Sequence, residues 1–338
     1  MKRIPICAFA AGLAAMLALS SCGGVPSGIT EDRRESVPQS TPLEEGTTPL
    51  PEMDLTPSSG GTIHEAPVGT EAPNVETIRV TLHYITDDGY VLPVRREIPR
   101  EDGIAMACLS RLTKGTDDAE LSLLGLNAPI PEGTRISLAI AGGEARVDLS
   151  GMPKMQSEES ERALFASIVN TLTQFRSVDR VSITVNGQHG RTENGSALPT
   201  ACTGIALNVE DDSVAASASG TLSELTLYFP NEQGSAFIPV TRYVNGESGL
   251  YASLSRLAGG TKLDGLRCCF PENTLILGAA IENGVLSVNC SGDFLKINEM
   301  PGLYSLAMQS ALLTASPFGS IDEIRFLVNG APFEPANR

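Results

Sequence analysis

Alternation of apolar and polar positions opens the informative part of the chain. Ile78, Val80, Leu82 and Tyr84 alternate with polar residues, the period-two pattern of a half-buried strand. Asp87-Asp88-Gly89 predicts a turn, and Tyr90 to Ile98 the returning strand, with Pro93 marking an edge or bulge. The spacing then becomes helical at Ile104, Cys108, Leu109 and Leu112, with a stop at Lys114-Gly115. Pro129 to Gly133 reads as a loop. Arg135–Ile140 and Ala145–Leu149 read as a hairpin about Gly142-Gly143. A second helix is predicted from Ser157, with Glu158, Glu159 and Glu161 near its positive end and an apolar face of Leu164, Phe165, Ile168, Leu172 and Phe175. Val178 to Val185 reads as the last strand, closed by Asn186-Gly187.

The same series then recurs. Thr226–Pro230 and Phe237–Val240 repeat the opening hairpin, Ser255-Arg256-Leu257 repeats Ser110-Arg111-Leu112, and Pro271-Glu272-Asn273-Thr274 repeats Pro131-Glu132-Gly133-Thr134. Phe326–Gly330 repeats Ile183–Gly187, and the second copy's second helix runs through Leu303, Leu306, Ala307, Ser310, Leu313 and Thr314. The offset drifts only from 145 to 140 to 143, as small loop changes between two copies would produce. The fold expected is therefore α+β: two tandem copies of a compact ββαββαβ domain, helices packed on a mainly antiparallel sheet. The boundaries expected are 76–190 and 223–338. The stretch 191–222 is a linker, within which Ala201–Val209 is a stray strand able to pack on either copy.

Composition changes the picture at the N-terminus. Lys2-Arg3 precedes an apolar run from Ile4 to Leu19, too short and Ala-rich for a comfortable membrane span, which ends in Leu19-Ser20-Ser21-Cys22-Gly23. That ending resembles a bacterial lipobox. It implies a signal peptide over 1–21, cleavage between Ser21 and Cys22, and an acylated, palmitate-bearing Cys22 holding the protein on the outer face of the cell membrane. The alternatives are an ordinary signal peptide with a chance cysteine, or a signal anchor. One acyl chain binds a membrane weakly and two or three bind stably. Residues 22–75, rich in Pro, Ser, Thr, Gly and Glu, cannot bury enough apolar surface to offset ordering, so a flexible tether is expected. Its r.m.s. span is on the order of 40 Å.

The formal charge is −16, and removing residues 1–21, whose only charges are Lys2 and Arg3, makes it −18. Such a chain repels phosphate backbones and anionic lipid, so nucleic-acid partners are excluded and attachment through a polybasic patch has no support.

The repeat filters the candidate chemistry. His64 lies in the tether, His189 just past the first copy, and His83 on the first strand where the second copy has Tyr228. No His-based relay or metal site survives that test. Cys268, Cys269 and Cys290 have no CxxC spacing, and they match Ala128, Pro129 and Leu149, while Cys108 matches Ser253. Small buried thiols are the simpler reading, and a Cys268–Cys269 or Cys290 bridge stays open outside the cytoplasm. Asp148 matches Asn289, so an acid or base there is absent from the second copy. Glu132 and Glu272 match and read as turn residues. Gly142-Gly143 and Gly259-Gly260 lack the Lys-Ser/Thr of a phosphate loop. Asn194-Gly195-Ser196 and Asn289-Cys290-Ser291 match a glycosylation pattern that a bacterial lipobox makes accidental. No catalytic residue, cofactor or metal ligand is assigned.

Pro131–Thr134, Val147–Ser150, Thr171–Phe175 and Val185–Gly187, in this order and duplicated behind a lipobox, resemble the GerM domain family. The resemblance covers about two thirds of the chain. The second copy departs where Asn289-Cys290 replaces Asp148-Leu149 and Ser316-Pro317 replaces Thr173-Gln174. The resemblance implies a non-enzymatic surface lipoprotein of spore-forming bacteria, connected with sporulation and spore germination, whose domain is similar to the ring-building modules of envelope secretion assemblies. The expected partners are the cell membrane through Cys22 and envelope or sporulation proteins or peptidoglycan. A ligand-binding lipoprotein with a site between the two copies is the alternative, and a cell-wall-active enzyme ranks third.

Overall fold

The computed structural model describes residues 53–54, 76–115, 118–210, 222–246 and 248–336. Cys22, Ser21, the 1–21 segment, His64 and all of the 22–75 tether except Met53–Asp54 lie outside the described residues.

A two-residue strand, β1 (Met53–Asp54), precedes the first copy. There β2 (Thr77–Thr86) and β3 (Val91–Pro99) form the predicted antiparallel hairpin, with Leu82 opposite Val94 and His83 opposite Pro93. Val80, Leu82 and Tyr84 are buried on one face, as alternation requires. Helix α1 (Ile104–Arg111) ends three residues before the Lys114 expected from sequence, because Thr113 and Lys114 turn into a bridge with Ile130. A short helix α2 (Asp118–Leu123) and strand β4 (Leu126–Asn127), which pairs with the end of β2, are additions to the expected order.

β5 (Arg135–Ala141) and β6 (Glu144–Ser150) make the second hairpin, and α3 (Glu158–Leu172) crosses over to β7 (Arg180–Val185). β7 lies parallel to β6, as a strand–helix–strand crossover demands. Two sheets therefore stand where one was expected: the β2–β3 hairpin with its short partners, and the three-stranded β5–β6–β7 sheet. Helix α3 starts where the sequence places it, with Ser157 Oγ accepting the Ser160 N–H at 3.2 Å. Its side facing β2 and the sheet buries Leu164, Phe165, Ile168 and Leu172.

The second copy repeats the plan: hairpin β8 (Leu222–Pro230) and β9 (Phe237–Asn245), helix α4 (Leu250–Ala258), hairpin β10 (Ile276–Glu282) and β11 (Val285–Cys290), helix α5 (Leu303–Ala315), and β12 (Glu323–Val328) parallel to β11. It adds a 3-10 turn over Gly292–Glu299 before α5 and a short strand β13 (Ala331–Pro332).

The stretch after β7 is packed as far as it is described. Cys202 bridges Val181 antiparallel, Pro199 accepts the Ile183 N–H, and Leu198 and Leu207 are buried. Glu161 is buried rather than solvated at the helix start, accepting from Thr192 Oγ1 (2.6 Å) and Asn194 Nδ2 (3.0 Å). That use of Asn194 gives the Asn-Gly-Ser triplet an architectural role.

Candidate interdomain site

The copies share apolar packing: Ala236 and Ile238 of the second are buried within the core of the first, and Leu266 packs against both. Asn208, in left-handed conformation at φ 48°, sits where they meet. Its Oδ1 accepts the Val91 N–H (2.8 Å), and its Nδ2 donates to the carbonyls of Val91 (2.8 Å) and Pro239 (2.7 Å). One amide thus joins β3 to β9. Tyr90 adds a bond from its hydroxyl to the Asp264 carbonyl (2.6 Å). Burial, with the nearby Asp264 and Asp88 charges, pushes that phenol above its ordinary pKa.

Glu210 anchors the end of the packed stretch to the second copy. It pairs with Arg242 and accepts from Thr261 Oγ1 (2.6 Å) and the Lys262 N–H (2.7 Å). Burial opposes its ionisation, but these donors outweigh it and hold the carboxyl below its ordinary range. Arg242 also donates to the carbonyls of Arg256 (3.0 Å) and Gly260 (2.7 Å) and lies over the Phe229 ring.

Beside this seam a groove of ≈ 550 Å³ is lined by Tyr90, Val91, Arg162, Phe165, Ile205, Asn208 and Tyr243, so it draws on both copies and the stretch between them. A second of ≈ 310 Å³ lies between Leu92 and Pro93 of β3, Tyr228 and Phe237, and Leu312 and Leu313 of α5. Both are mainly apolar, the larger with Glu159, Arg162 and Asn208 and the smaller with Ser235 and Gln309 among their walls.

The residues weighed from sequence are dispersed. His83 is buried, its backbone N–H donating to Thr171 Oγ1 (3.2 Å) and its Nδ1 3.0 Å from the same oxygen; burial lowers its pKa to about 3. His189 is exposed. Cys108, Cys269 and Cys290 are buried free thiols, pushed by burial to about 11, 12 and 12 respectively, far from the thiolate a nucleophile needs. Cys268 corrects the buried reading: it is exposed, with its Sγ over Gly260. The turns containing Glu132 and Glu272 close alike, Thr134 N–H to the Pro131 carbonyl and Thr274 N–H to the Pro271 carbonyl. Among the described residues no group of three or more His, Cys, Asp or Glu side chains could hold a metal ion.

Asp148 is the most telling. It accepts from Ser150 Oγ (2.5 Å), Thr184 Oγ1 (2.6 Å) and the Gly187 N–H (2.6 Å). Burial raises its pKa, but these donors prevail and hold the carboxyl below its ordinary range. In the second copy Asn289 Oδ1 accepts the Gly330 N–H (2.8 Å). Both side chains fasten the closing Asn-Gly turn, a task an amide does as well as a carboxylate.

Two further matched devices were missed from sequence. Asp179 and Asp322 lie over Gly143 and Gly284, and their N–H groups bond the carbonyls of those glycines, each at 2.7 Å. Thr171 and Thr314 each accept a backbone N–H from the opening strand, that of His83 and that of Tyr228. Both pairs keep an offset of 143, the offset of the closing Val-x-Gly motif, and that was the signal available.

The family described as "Germane: Sporulation and spore germination" matches residues 81–190 and 226–334. The spore germination protein GerM of Bacillus subtilis (strain 168) is 26% identical over 269 residues, spanning 75% of this chain and 72% of that protein. The solved tandem GerMN domains of the sporulation protein GerM from Bacillus subtilis share the fold, with a TM-score of 0.54 at 23% identity over 76% of this chain and 92% of that one. The first GerMN domain of that protein is 28% identical over 37% of this chain and 96% of its own, with a TM-score of 0.34.

Proposed function

This chain belongs to the Germane family of sporulation and spore germination proteins, and from that premise we propose that it is a lipid-anchored, non-enzymatic interaction or assembly component of the cell envelope. Cys22 is the attachment point, outside the cytoplasm on the outer face of the membrane. The two copies present protein-binding or wall-binding surfaces in sporulation, germination or both. Support for the anchor is the lipobox sequence alone. The observation that carries the non-enzymatic reading is the matched pair Asp148 and Asn289, which do the same turn-fastening work with different chemistry. A reacting carboxylate does not tolerate that exchange, whereas a hydrogen-bond acceptor does.

The test is deletion of the gene in the native host, scored for heat-resistant spores and for germination, with complementation by wild type, Asp148→Asn and Cys22→Ala. Loss of either process, rescue by Asp148→Asn and failure of Cys22→Ala to rescue or to enter the detergent phase are the outcomes expected. Wild-type behaviour of the deletion in both assays contradicts the assignment. A well-folded Asp148→Asn that fails to rescue contradicts the non-enzymatic reading.

A second reading is favoured by the ≈ 550 Å³ groove between the copies, whose aromatic walls include Tyr90, Phe165 and Tyr243. It makes the protein a ligand-binding lipoprotein. A specific thermal shift with small solutes or muropeptides, abolished by Tyr243→Ala, would favour this reading over the first.

A further inference from the structure

The opening hairpin of each copy leaves the outer edge of its second strand unpaired within the hairpin: β3 in the first and β9 in the second. The edge of β9 is covered by the chain that enters the second copy. The Thr241 N–H donates to the Leu207 carbonyl and the Glu210 N–H donates to the Thr241 carbonyl, both at 3.0 Å. Bonding to one residue before and to another after the facing position is the parallel pattern. Asn208 and Val209 lie between the two bonds, one residue more than a regular parallel bridge holds, which makes this a bulge.

The edge of β3 is met in the same way by the chain entering the first copy. Met53 and Asp54 pair with it in parallel, opposite Val94 and Arg95. The registers correspond. Leu82 faces Val94 and its counterpart Leu227 faces Val240, so Arg95 of β3 corresponds to Thr241 of β9. Asp54 therefore stands against β3 where the Asn208–Val209 bulge stands against β9. The sequences agree: Met53-Asp54-Leu55 and Leu207-Asn208-Val209 are both apolar–Asx–apolar.

We infer that the duplicated unit includes its incoming segment, and that Met53-Asp54 docks by strand addition on β3 as its counterpart does on β9. An open strand edge is a template for any extended chain, and an intramolecular occupant closes it. The docking also moves the effective start of the fold from Glu76 back to Met53. The tether expected from composition after Cys22 then counts about 30 residues, and the r.m.s. reach expected of such a composition falls from about 40 Å to about 30 Å. The occupant is this chain's own tail, so a second extended peptide reaches β3 only by displacing it.

Amide hydrogen exchange on the full-length chain in detergent tests this, against a variant with residues 50–57 replaced by Gly and Ser and against the milder Leu55→Pro. The expected result is exchange at Arg95 faster by about tenfold in both variants, with Thr241 unchanged as the internal control. Unchanged exchange at Arg95 overturns the inference. So does simultaneous loss of protection at Arg95 and Thr241, which signifies general loosening rather than an uncovered edge.

Discussion

The two copies fold alike but are fastened differently. In the first, polar clasps hold the crossover helix: Thr171 Oγ1 takes the His83 N–H, while Gln174 Oε1 accepts the Thr81 N–H (2.7 Å) and Gln174 Nε2 donates to the Thr81 carbonyl (2.8 Å). That glutamine acts as a surrogate strand partner for the edge of β2, and Glu161 pins the other end of the helix to Thr192 and Asn194. The second copy keeps the threonine, as Thr314, but has Pro317 where the glutamine would be. In exchange it gathers Phe270, Phe294, Phe326, Phe333 and Tyr304 into one cluster, with the Phe294 and Phe326 rings stacked at 4.9 Å. Geometry at turns and strand edges is what the duplication kept; the means of holding the helix diverged.

The largest effect should come from attacking the aromatic cluster. Phe294→Ala removes a fully buried ring from the second copy and should cost about 3–5 kcal/mol in chemical denaturation. A loss under 1 kcal/mol would mean that the cluster is not what holds that copy.

Next, Gly143→Ala and Gly284→Ala sharpen what is shared. Both glycines have positive φ, and a β-carbon at either would overlap the carboxylate of Asp179 or Asp322. Each should cost about 2–3 kcal/mol. Asp179→Ala should recover part of the Gly143→Ala loss, leaving the backbone strain. Very unequal costs in the two copies would break the equivalence.

How much of this was legible follows from which residues carry it. The period-two run into β2, the Ser157 cap and the two closing Asn-Gly turns stand in the sequence, because each is a local signal with its own physical cause. Helix α2 and β4 were missed. Leu123 and Leu124 are exposed, so a six-residue helix there shows no apolar period. The 3-10 turn at 292–299 follows neither the helical nor the strand period. The split into two sheets and the burial of Glu161 depend on partners far along the chain, Thr192 and Asn194 among them, which local pattern does not encode. The seam was invisible for the same reason: Asn208 reads as an ordinary loop residue until β3 and β9 flank it.

Acid should distinguish the copies next. His83 folds with a pKa of about 3 against 6.5 for the free side chain, so the unfolded chain binds the proton first and stability falls as pH drops from about 6.5 towards 3. The slope is at most about 1.4 kcal/mol per pH unit. The carboxyls lowered in the fold, Glu144, Asp148, Glu159, Glu210 and Glu323, add a slope of the same sign once the unfolded chain's acids begin to protonate, near pH ~4, so the His83 contribution is read at the upper end of the window. His83→Tyr, importing the residue the second copy uses, should flatten denaturation midpoints across it; an unaltered slope contradicts the assignment.

The smallest effect should be Gln174→Ala. Losing the clasp on Thr81 should cost about 1 kcal/mol and speed exchange at the Thr81 amide. Pro317→Gln in the second copy should leave stability within about 0.5 kcal/mol if the aromatic cluster has replaced the clasp there.

Above these differences stands the claim that the copies form one body, with Ala236 and Ile238 in the first copy's core, Asn208 across β3 and β9, and Glu210 on Arg242. Scanning calorimetry of residues 53–336 tests it most directly. A single transition is predicted, with calorimetric and van't Hoff enthalpies equal, together with failure of residues 76–190 to melt cooperatively when expressed alone. Two resolved transitions, one reproduced by the isolated 76–190 fragment, would contradict it.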